Sequence, residues 1–268
     1  MNNLPLIAIR AIGLTKRYAN GREEKTALRD VTLSIPAAGF WVVSGPSGSG
    51  KTTLLGLLAG MIAPTAGEVH LNGKPITHLR DHHRALVRRN WVGMVFQEFA
   101  LVTGLSLVEN LGLPFVPKGG ASAATREQAA RLVERFGLTA LAHTRVERLS
   151  AGERQRAGII RALLGDPPIL LLDEPTASLD SANVHHLVDL LVSLRDEGRT
   201  LLATTHDPRL IDDSRVDGRL RLVDGEIEQR PEVAGIGDTD TLTRPPGTLS
   251  HPMGEGWGEG APVEQPPG

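Results

Sequence analysis

The segment GPSGSGKTT, at Gly45 to Thr53, constrains the fold of this chain more than any other part of the sequence. It matches G-x-x-x-x-G-K-[ST], a pattern in which a glycine-rich loop turns backbone N–H groups toward phosphate oxygens. Four apolar residues, Phe40 to Val43, precede the loop and TLLGLLAG follows it. This predicts a buried strand, a loop and a helix whose positive dipole end favours anions. Glycines of an ordinary surface turn are the alternative.

Two side chains of this loop are predicted to act on a bound nucleotide. Lys51 and Thr52 are expected to meet its β- and γ-phosphates and its Mg²⁺. The other loop residues predicted to bind the nucleotide are Gly45, Ser47, Gly48, Ser49, Gly50 and Thr53.

Two adjacent carboxylates follow a second apolar segment. Ile169 to Leu172 has the length of a buried strand, and Asp173 and Glu174 stand at its carboxyl end, where an open parallel sheet binds ligands. Asp173 is the predicted Mg²⁺ partner of Thr52, and Glu174 is the candidate base that activates a water molecule. The alternative is an Asp-Glu pair that caps a turn before Pro175.

The segment LSAGERQR, at Leu149 to Arg156, contains the pattern S-x-x-E. In this capping box Ser150 accepts from the backbone N–H of Glu153, and Glu153 accepts from that of Ser150. A helix is therefore predicted to begin here, and its positive end is a second anion site. This site has no phosphate of its own, because the loop at 45–53 already serves the nucleotide of this chain.

Together with LLLDEPT and TTHD, these motifs resemble those of the nucleotide-binding subunit of ATP-binding cassette (ABC) proteins, over about residues 5–230. The resemblance implies an ATPase with an α/β P-loop NTPase (RecA-like) core, an antiparallel β edge subdomain and an inserted helical subdomain. ATP and Mg²⁺ are the implied cofactors. The resemblance also implies that Ser150 and Gly152 meet the γ-phosphate held by another copy, so that a dimer encloses two ATP molecules. Ala151 stands where the commonest form of the family signature has glycine, and this difference predicts weaker closure of the dimer at most.

The resemblance assigns further roles to single residues. Tyr18 stands where an aromatic ring stacks on adenine, and Gln97 where a glutamine contacts Mg²⁺ and the attacking water. His206 stands where a histidine senses the γ-phosphate, which makes Glu174, His206 and Gln97 the implied catalytic residues. The loop after the acidic strand, Ser178 to Asp180, is also implied, with Asp180 near the nucleotide. The alternatives are that Tyr18 only packs and that His206 is an ordinary residue at a strand end.

Apolar alternation predicts the remaining strands. They are expected around Ile7 and Ile9, around Val31, Leu33 and Ile35, at Trp91 to Phe96 and at Leu201 to Thr205, with a hairpin from Val69 to Ile76 that turns at Asn72-Gly73. A helical stretch at Leu187 to Arg195 supplies the alternation of a parallel sheet.

Between Gln97 and Leu149 the sequence predicts helices without strands. Ser106 to Leu113 and Thr125 to Phe136 carry apolar residues at helical spacing, so a helical subdomain is expected at about 98–165. The apolar residues after the glutamine either form a groove for a membrane partner or belong to the core of this subdomain. They are Phe99, Leu101, Val102, Leu105 and Leu107.

Composition limits the possible classes of protein. The chain has no cysteine, which excludes disulfides, cysteine-bound zinc and a thiol nucleophile. No apolar run approaches the roughly 18 residues of a membrane span, and the amino-terminal segment has no pattern of a secretory signal. A formal net charge of -2 is not the footprint of a nucleic-acid-binding protein. Residues 1–230 are expected to form the ATPase domain, and the Pro/Gly-rich residues 231–268 a disordered tail.

The expected function is ATP hydrolysis that drives transport through a separate integral membrane permease. The subunit would then be cytoplasmic and peripheral on the inner face of the cell membrane. The ending GERQR resembles exporters of the macrolide-efflux and lipoprotein-release type, which favours export. An ABC ATPase that regulates a membrane partner without transport, as in cell division, is the alternative. Glu174 and His206 argue against a nucleotide sensor without turnover.

Overall fold

The computed structural model describes residues 6–20, 23–177 and 179–229. Ser178 and the tail predicted at 231–268 lie outside the described residues. The strands are β1 (Ile7–Asn20), β2 (Glu23–Pro36), β3 (Phe40–Ser44), β4 (Ala66–Leu71), β5 (Lys74–Pro75), β6 (Val92–Val95), β7 (Ile169–Asp173), β8 (Thr200–Thr205), β9 (Gly218–Val223) and β10 (Glu226–Gln229). The α-helices are α1 (Lys51–Leu58), α2 (Asp81–Trp91), α3 (Leu107–Gly112), α4 (Ala123–Arg135), α5 (Ala151–Leu163), α6 (Ser181–Asp196) and α7 (Pro208–Ile211).

The strand before the glycine-rich loop lies inside a six-stranded sheet of order β10-β9-β3-β8-β7-β6. The pairings from β9 to β6 are parallel, and β10 adds an antiparallel edge. Every residue of β7 and β8 is buried, as expected for a parallel sheet that is covered on both faces. The predicted strand, loop and helix at the phosphate motif are confirmed by β3 and α1.

Alternate residues of these strands enter two different cores. Phe40 and Val42 of β3 pack with α5 and α6, whereas Trp41 and Val43 pack with α1 and the second sheet. This division follows from the strand period of two, which directs successive side chains to opposite faces. The sheet therefore holds the loop at its carboxyl edge between two packed layers.

The second sheet is antiparallel, of order β2-β1-β4-β5. It contains the alternating residues predicted around Ile9 and Ile35, which are fully buried. The predicted tight turn between β4 and β5 is confirmed, because Asn72 and Gly73 have φ of 47° and 75°, as a two-residue hairpin requires. The hairpin strand ends at Pro75 rather than at Ile76.

Two further predicted boundaries were wrong. Trp91 was expected to begin a strand, but it ends α2, and β6 covers only Val92–Val95. The helix expected at Leu187 to Arg195 begins earlier, at Ser181, because the Asp180 side chain caps it. In α2, Asp81 in the first turn and arginines in the last turn match the helix dipole, and this charge pattern favours a helix over a strand.

Between Gln97 and β7 the described residues form α3, α4, α5 and three short 3₁₀ segments, at Leu113–Lys118, Thr139–Leu141 and Val146–Arg148. Of the five apolar residues expected either in a groove or in a core, Phe99 and Leu107 are buried core residues, and Leu101 packs against that core. Val102 is 47% exposed. A docking groove made of all five is therefore wrong.

Each helix within the described residues is too short or too polar to cross a membrane.

Gly93→Ala should destabilise the fold strongly. Gly93 lies in β6, where an added Cβ would stand 2.3 Å from the Ala162 carbonyl oxygen and 2.6 Å from Leu170 Cδ2. Since backbone must move to relieve this clash, we expect the free energy of unfolding to fall by about 3 kcal/mol. Gly112→Ala is the matched control, because no atom lies within 4 Å of its added Cβ. Urea unfolding of both variants measures the difference, and equal midpoints would contradict this account.

Candidate active site

The glycine-rich loop is held against two neighbouring strands. An added Cβ at Gly45 would lie 2.1 Å from the Leu222 carbonyl oxygen of β9. At Gly50, with φ of 105°, an added Cβ would lie 2.5 Å from the carbonyl oxygen of Ala27 in β2. Glycine is required at both positions, since a side chain there would push the loop off its supports.

Lys51, the first residue of α1, is buried at the mouth of the loop. Its Nζ donates to the carbonyl oxygens of Gly45 and Pro46, at 2.9 and 3.0 Å, and lies 3.4 Å from Glu174 Oε1. The ammonium group is therefore fixed by the loop that it serves, next to a carboxylate at the end of β7.

Asp173 joins the loop to the neighbouring strand. Thr52 Oγ1 donates to Asp173 Oδ2 at 2.9 Å, and Thr204 Oγ1 donates to Asp173 Oδ1 at 2.7 Å. Both oxygens of this buried carboxylate thus accept a hydroxyl. The structure brings Thr52 and Asp173 together as a set of oxygen ligands.

Glu174 leaves the strand in a left-handed conformation, with φ of 48°. Its Oε2 lies 2.9 Å from His206 Nδ1 and accepts the His206 backbone N–H at 3.3 Å. A turn does follow, since the Glu174 carbonyl accepts the Ala177 N–H. Neither carboxylate caps that turn, however, because Asp173 bonds to threonines and Glu174 faces Lys51 and His206. The turn-capping alternative is therefore excluded.

A cavity of about 840 Å³ opens over these groups, a volume within the usual range of ligand sites. Predicted residues that line it are Tyr18, Ser47, Gly48, Gly50, Lys51, Thr52, Thr53, Gln97, Glu174 and His206. Tyr18 is 41% exposed, so it is not a packed core residue, and the Lys16 ammonium lies 5.1 Å from its ring centroid. The His206 side chain is also exposed, and it forms part of the cavity wall rather than of the core.

Ser49 stands behind the cavity. It is buried, and its carbonyl oxygen accepts the Gly225 N–H. Its contacts therefore support the loop rather than line the cavity.

Three predicted residues lie away from this cavity. Ser150 caps α5, accepting the Glu153 N–H at 3.3 Å while Glu153 accepts the Ser150 N–H at 2.7 Å, which confirms the predicted capping box. Gly152, in the first turn, faces Asn183 Oδ1. Asp180 caps α6, and hydrogen bonds from Asn183 lower the pKa of its carboxyl. The starts of α5 and α6 thus lie side by side.

Sequence reasoning missed several residues of the site. Thr204 orients Asp173, and its position opposite Asp173 in the register of β7 and β8 is a signal that the TTHD segment contains. The cavity walls also include Lys25, Thr26, Ala27, Arg29, Asp224 and Gly225. These residues come from β2 and from the turn between β9 and β10, and no motif marks them.

Comparisons with known proteins agree with this geometry. The family model described as ABC transporter matches residues 28–177. An uncharacterized ABC transporter ATP-binding protein, YbbA of Escherichia coli, is 40% identical over 217 residues, which cover 81% of this chain and 94% of that protein. The macrolide export ATP-binding/permease protein MacB of Hyphomonas neptunium is 36% identical over 83% of this chain, which spans only 34% of that protein.

A solved structure is also similar. It is the dimeric post-hydrolysis state of the ATP-binding cassette MJ0796 bound to ADP and Pi, with a TM-score of 0.76 and 35% identity over 84% of this chain and 97% of that one. The predicted fold class, a P-loop NTPase core with an antiparallel β subdomain and an inserted helical subdomain, is confirmed.

Thr204→Val should weaken the fold without changing its shape. Valine keeps the volume but removes the hydroxyl that donates to Asp173, which leaves a buried carboxylate oxygen without that partner. We expect a loss of about 1–3 kcal/mol in the free energy of unfolding. Thr139→Val makes the same chemical change at an exposed position and should alter stability little. Urea unfolding without nucleotide tests both, and a parental midpoint for Thr204→Val would contradict the assigned contact.

Proposed function

The chain belongs to the ABC transporter family, and on that premise we propose that it is the ATP-hydrolysing subunit of a transporter with a separate membrane permease. ATP binding and hydrolysis are the activity of this family's cassette. The observation that carries the proposal for this chain is the meeting of Lys51, Glu174 and His206 at one cavity. An ammonium that can bind phosphate, a carboxylate that can act as base and the histidine beside that carboxylate are thereby within reach of one phosphoryl group.

The residues present fit ATP with Mg²⁺. The loop offers backbone N–H groups and the Lys51 ammonium to phosphates, and Tyr18, which also lines the cavity, offers an aromatic ring to adenine. Thr52, Asp173 and Gln97 offer oxygen ligands, which Mg²⁺ prefers. When bound, Mg²⁺ would neutralise charge that develops on the phosphate oxygens.

The contacts of Lys51 suggest how the base is released. In this structure the ammonium bonds to two loop carbonyls and faces Glu174. An entering phosphate attracts the same ammonium, which frees Glu174 Oε1 from its ion pair. Glu174 then takes a proton from the attacking water. His206 remains beside the other oxygen, Oε2, and keeps the carboxylate turned toward the cavity.

The positions of Ser150 and Gly152 support a dimeric reaction centre. They form the start of α5, whose backbone N–H groups favour an anion, yet they do not line the cavity of their own chain. A second copy placed head to tail would bring this helix end to the γ-phosphate. The MJ0796 cassette, which this chain resembles, has been solved as a dimer with ADP and Pi. Asp180, at the adjacent start of α6, would then lie near the same seam.

A second concavity, of about 300 Å³, supports docking of a permease. It lies between β6 and the helical subdomain and combines Phe96, Pro114 and Phe115 with Arg89 and Arg161. Such a surface suits a short apolar segment that carries an acidic residue. The MacB relative is named as an ATP-binding protein and permease in one chain.

The subunit would accordingly be cytoplasmic and peripheral on the inner membrane face, with export favoured by GERQR. Regulation of a membrane partner without transport would use the same surfaces. An assay of cargo movement across reconstituted vesicles distinguishes transport from such regulation.

Glu174→Gln should abolish turnover while ATP binding is retained. Glutamine keeps the size of the side chain but cannot accept the proton of water, so we expect the hydrolysis rate to fall about 100-fold or more. A phosphate-release assay measures the rate, and size-exclusion chromatography with ATP should show an accumulated dimer. Glu127→Gln alters an exposed surface carboxylate and should hydrolyse at the parental rate. If Glu174→Gln hydrolysed ATP at the parental rate, Glu174 would not be the base that activates the water molecule.

Arg89→Glu should weaken attachment to the permease. The substitution reverses a charge on the rim of the second concavity, so an acidic partner segment would be repelled. The measurement is the dissociation constant between the purified variant and the detergent-solubilised permease, identified by co-purification with the parental chain. We expect an increase of about tenfold. Arg131→Glu, on the exposed face of α4, is the control. Equal affinities for both variants would exclude this surface as the docking site.

A further inference from the structure

The turn that carries Gln97 ends in two adjacent residues with left-handed backbone. Phe99 and Ala100 have φ of 58° and 47°, a conformation that is unfavourable for residues with a Cβ atom. The Phe99 N–H donates to the Phe96 carbonyl oxygen at 2.8 Å. Gln97 therefore occupies the first central position of a turn that Phe99 closes, and the left-handed pair begins at that closing residue.

One side chain, Arg161, binds the carbonyl groups of both left-handed residues. Its Nη2 donates to the Phe99 carbonyl oxygen at 2.7 Å, and its Nη1 donates to that of Ala100 at 2.5 Å. Among the described residues, no carboxylate lies within ion-pair distance of Arg161. Burial lowers the pKa of the guanidinium, which remains charged because an arginine pKa is so high. Within the described residues, the hydrogen bonds of this charged side chain go to these two backbone carbonyls.

The end of α5 that bears Arg161 is itself packed tightly. An added Cβ at Gly158 would lie 3.4 Å from Phe99 Cβ, and one at Gly93 would lie 2.3 Å from the Ala162 carbonyl oxygen. Hence α5 contacts the chain both before Gln97, in β6, and after it, at Phe99. The segment that presents Gln97 to the cavity is therefore contacted on both sides by the carboxyl end of α5.

We propose that Arg161 is a positioning residue for Gln97: it holds the left-handed pair and so fixes the direction in which Gln97 enters the nucleotide cavity. This inference rests on the role proposed for Gln97 as an oxygen ligand in the nucleotide cavity. Arg161 touches neither substrate nor the reacting atoms, so its effect is indirect. Phosphate binding by the loop does not depend on it, whereas the geometry of the reacting groups does.

Arg161→Ala should lower kcat for ATP hydrolysis about tenfold or more and leave KM nearly unchanged, since small misplacement of a catalytic group costs rate rather than loop binding. Ala100→Gly in the Arg161→Ala background should restore the rate about threefold, because glycine adopts positive φ without the Cβ penalty. Lysine has no planar fork, so the kcat of Arg161→Lys should lie between those of the parental chain and Arg161→Ala. Absence of rescue by Ala100→Gly would overturn the proposal.

A double-mutant cycle separates positioning from general support of the fold. If Arg161 acts through Gln97, Arg161→Ala should lower kcat at most about twofold in the Gln97→Ala background. The same loss in both backgrounds would overturn the proposal. Arg219→Ala is the matched control, because Arg219 also donates to backbone carbonyls, those of Ile211 and Asp213, but away from the site. It should keep the parental kcat.

Amide hydrogen exchange distinguishes failure of this inference from failure of the proposed function. The Phe99 N–H should exchange about tenfold faster in nucleotide-free Arg161→Ala than in the parental chain, because the turn is no longer held. Parental exchange at Phe99 would overturn the positioning role even if hydrolysis falls. A parental hydrolysis rate in Gln97→Ala would instead refute the proposed role of Gln97, while fast exchange at Phe99 would still support the hold exerted by Arg161.

Discussion

The structure depends on opposite charges placed within contact range at the buried carboxyl edge of a parallel sheet. Lys51 and Glu174 are both buried and lie 3.4 Å apart, and burial of either charge alone would be costly. Each reaches this position through unusual backbone: Lys51 follows a glycine with φ of 105°, and Glu174 itself has φ of 48°. In the proposed mechanism, a polyanionic substrate competes for the Lys51 ammonium and thereby exposes the Glu174 carboxylate.

The surrounding layers explain how such a pair is tolerated. β7 and β8 are covered on both faces, so their ends are held rigidly, and Thr204 and Thr52 satisfy Asp173 beside Glu174. The helical subdomain is built differently, from short helices and 3₁₀ segments that contact the sheet mainly through α5. The sheet edges hold the groups to which we assign phosphate chemistry. The helical part holds the groups that we propose to meet a second molecule.

Local sequence patterns predicted much of this arrangement. The phosphate loop, the strand before Asp173 and the capping box of Ser150 are each encoded within about ten residues, so their chemistry is visible without the fold. Long-range features were not predictable in this way. Thr204 matters because β8 is the neighbour of β7 in the sheet. The cavity walls at Arg29 and Asp224 come from β2 and from the turn between β9 and β10. Trp91 was misassigned because its apolar side chain continues the pattern of β6 although it ends α2.

The turn after Gln97 shows a further limit of local patterns. Left-handed residues are usually signalled by glycine, asparagine or aspartate, but here they are Phe99 and Ala100. Their conformation is imposed by contacts with Arg161, about sixty positions later. Nothing in the neighbouring sequence marks them.

The placement of β3 also has a consequence for how the protein is made. Its two neighbours in the sheet are β8 and β9. The loop after it packs against the Leu222 carbonyl of β9, and its Ser49 carbonyl accepts the Gly225 N–H. During synthesis from the amino end, the phosphate motif leaves the ribosome before β8 and β9. These two neighbouring strands follow β3 by about 150 residues or more. A nascent chain therefore carries the motif long before it has a nucleotide site, and closure of that site coincides with completion of the sheet.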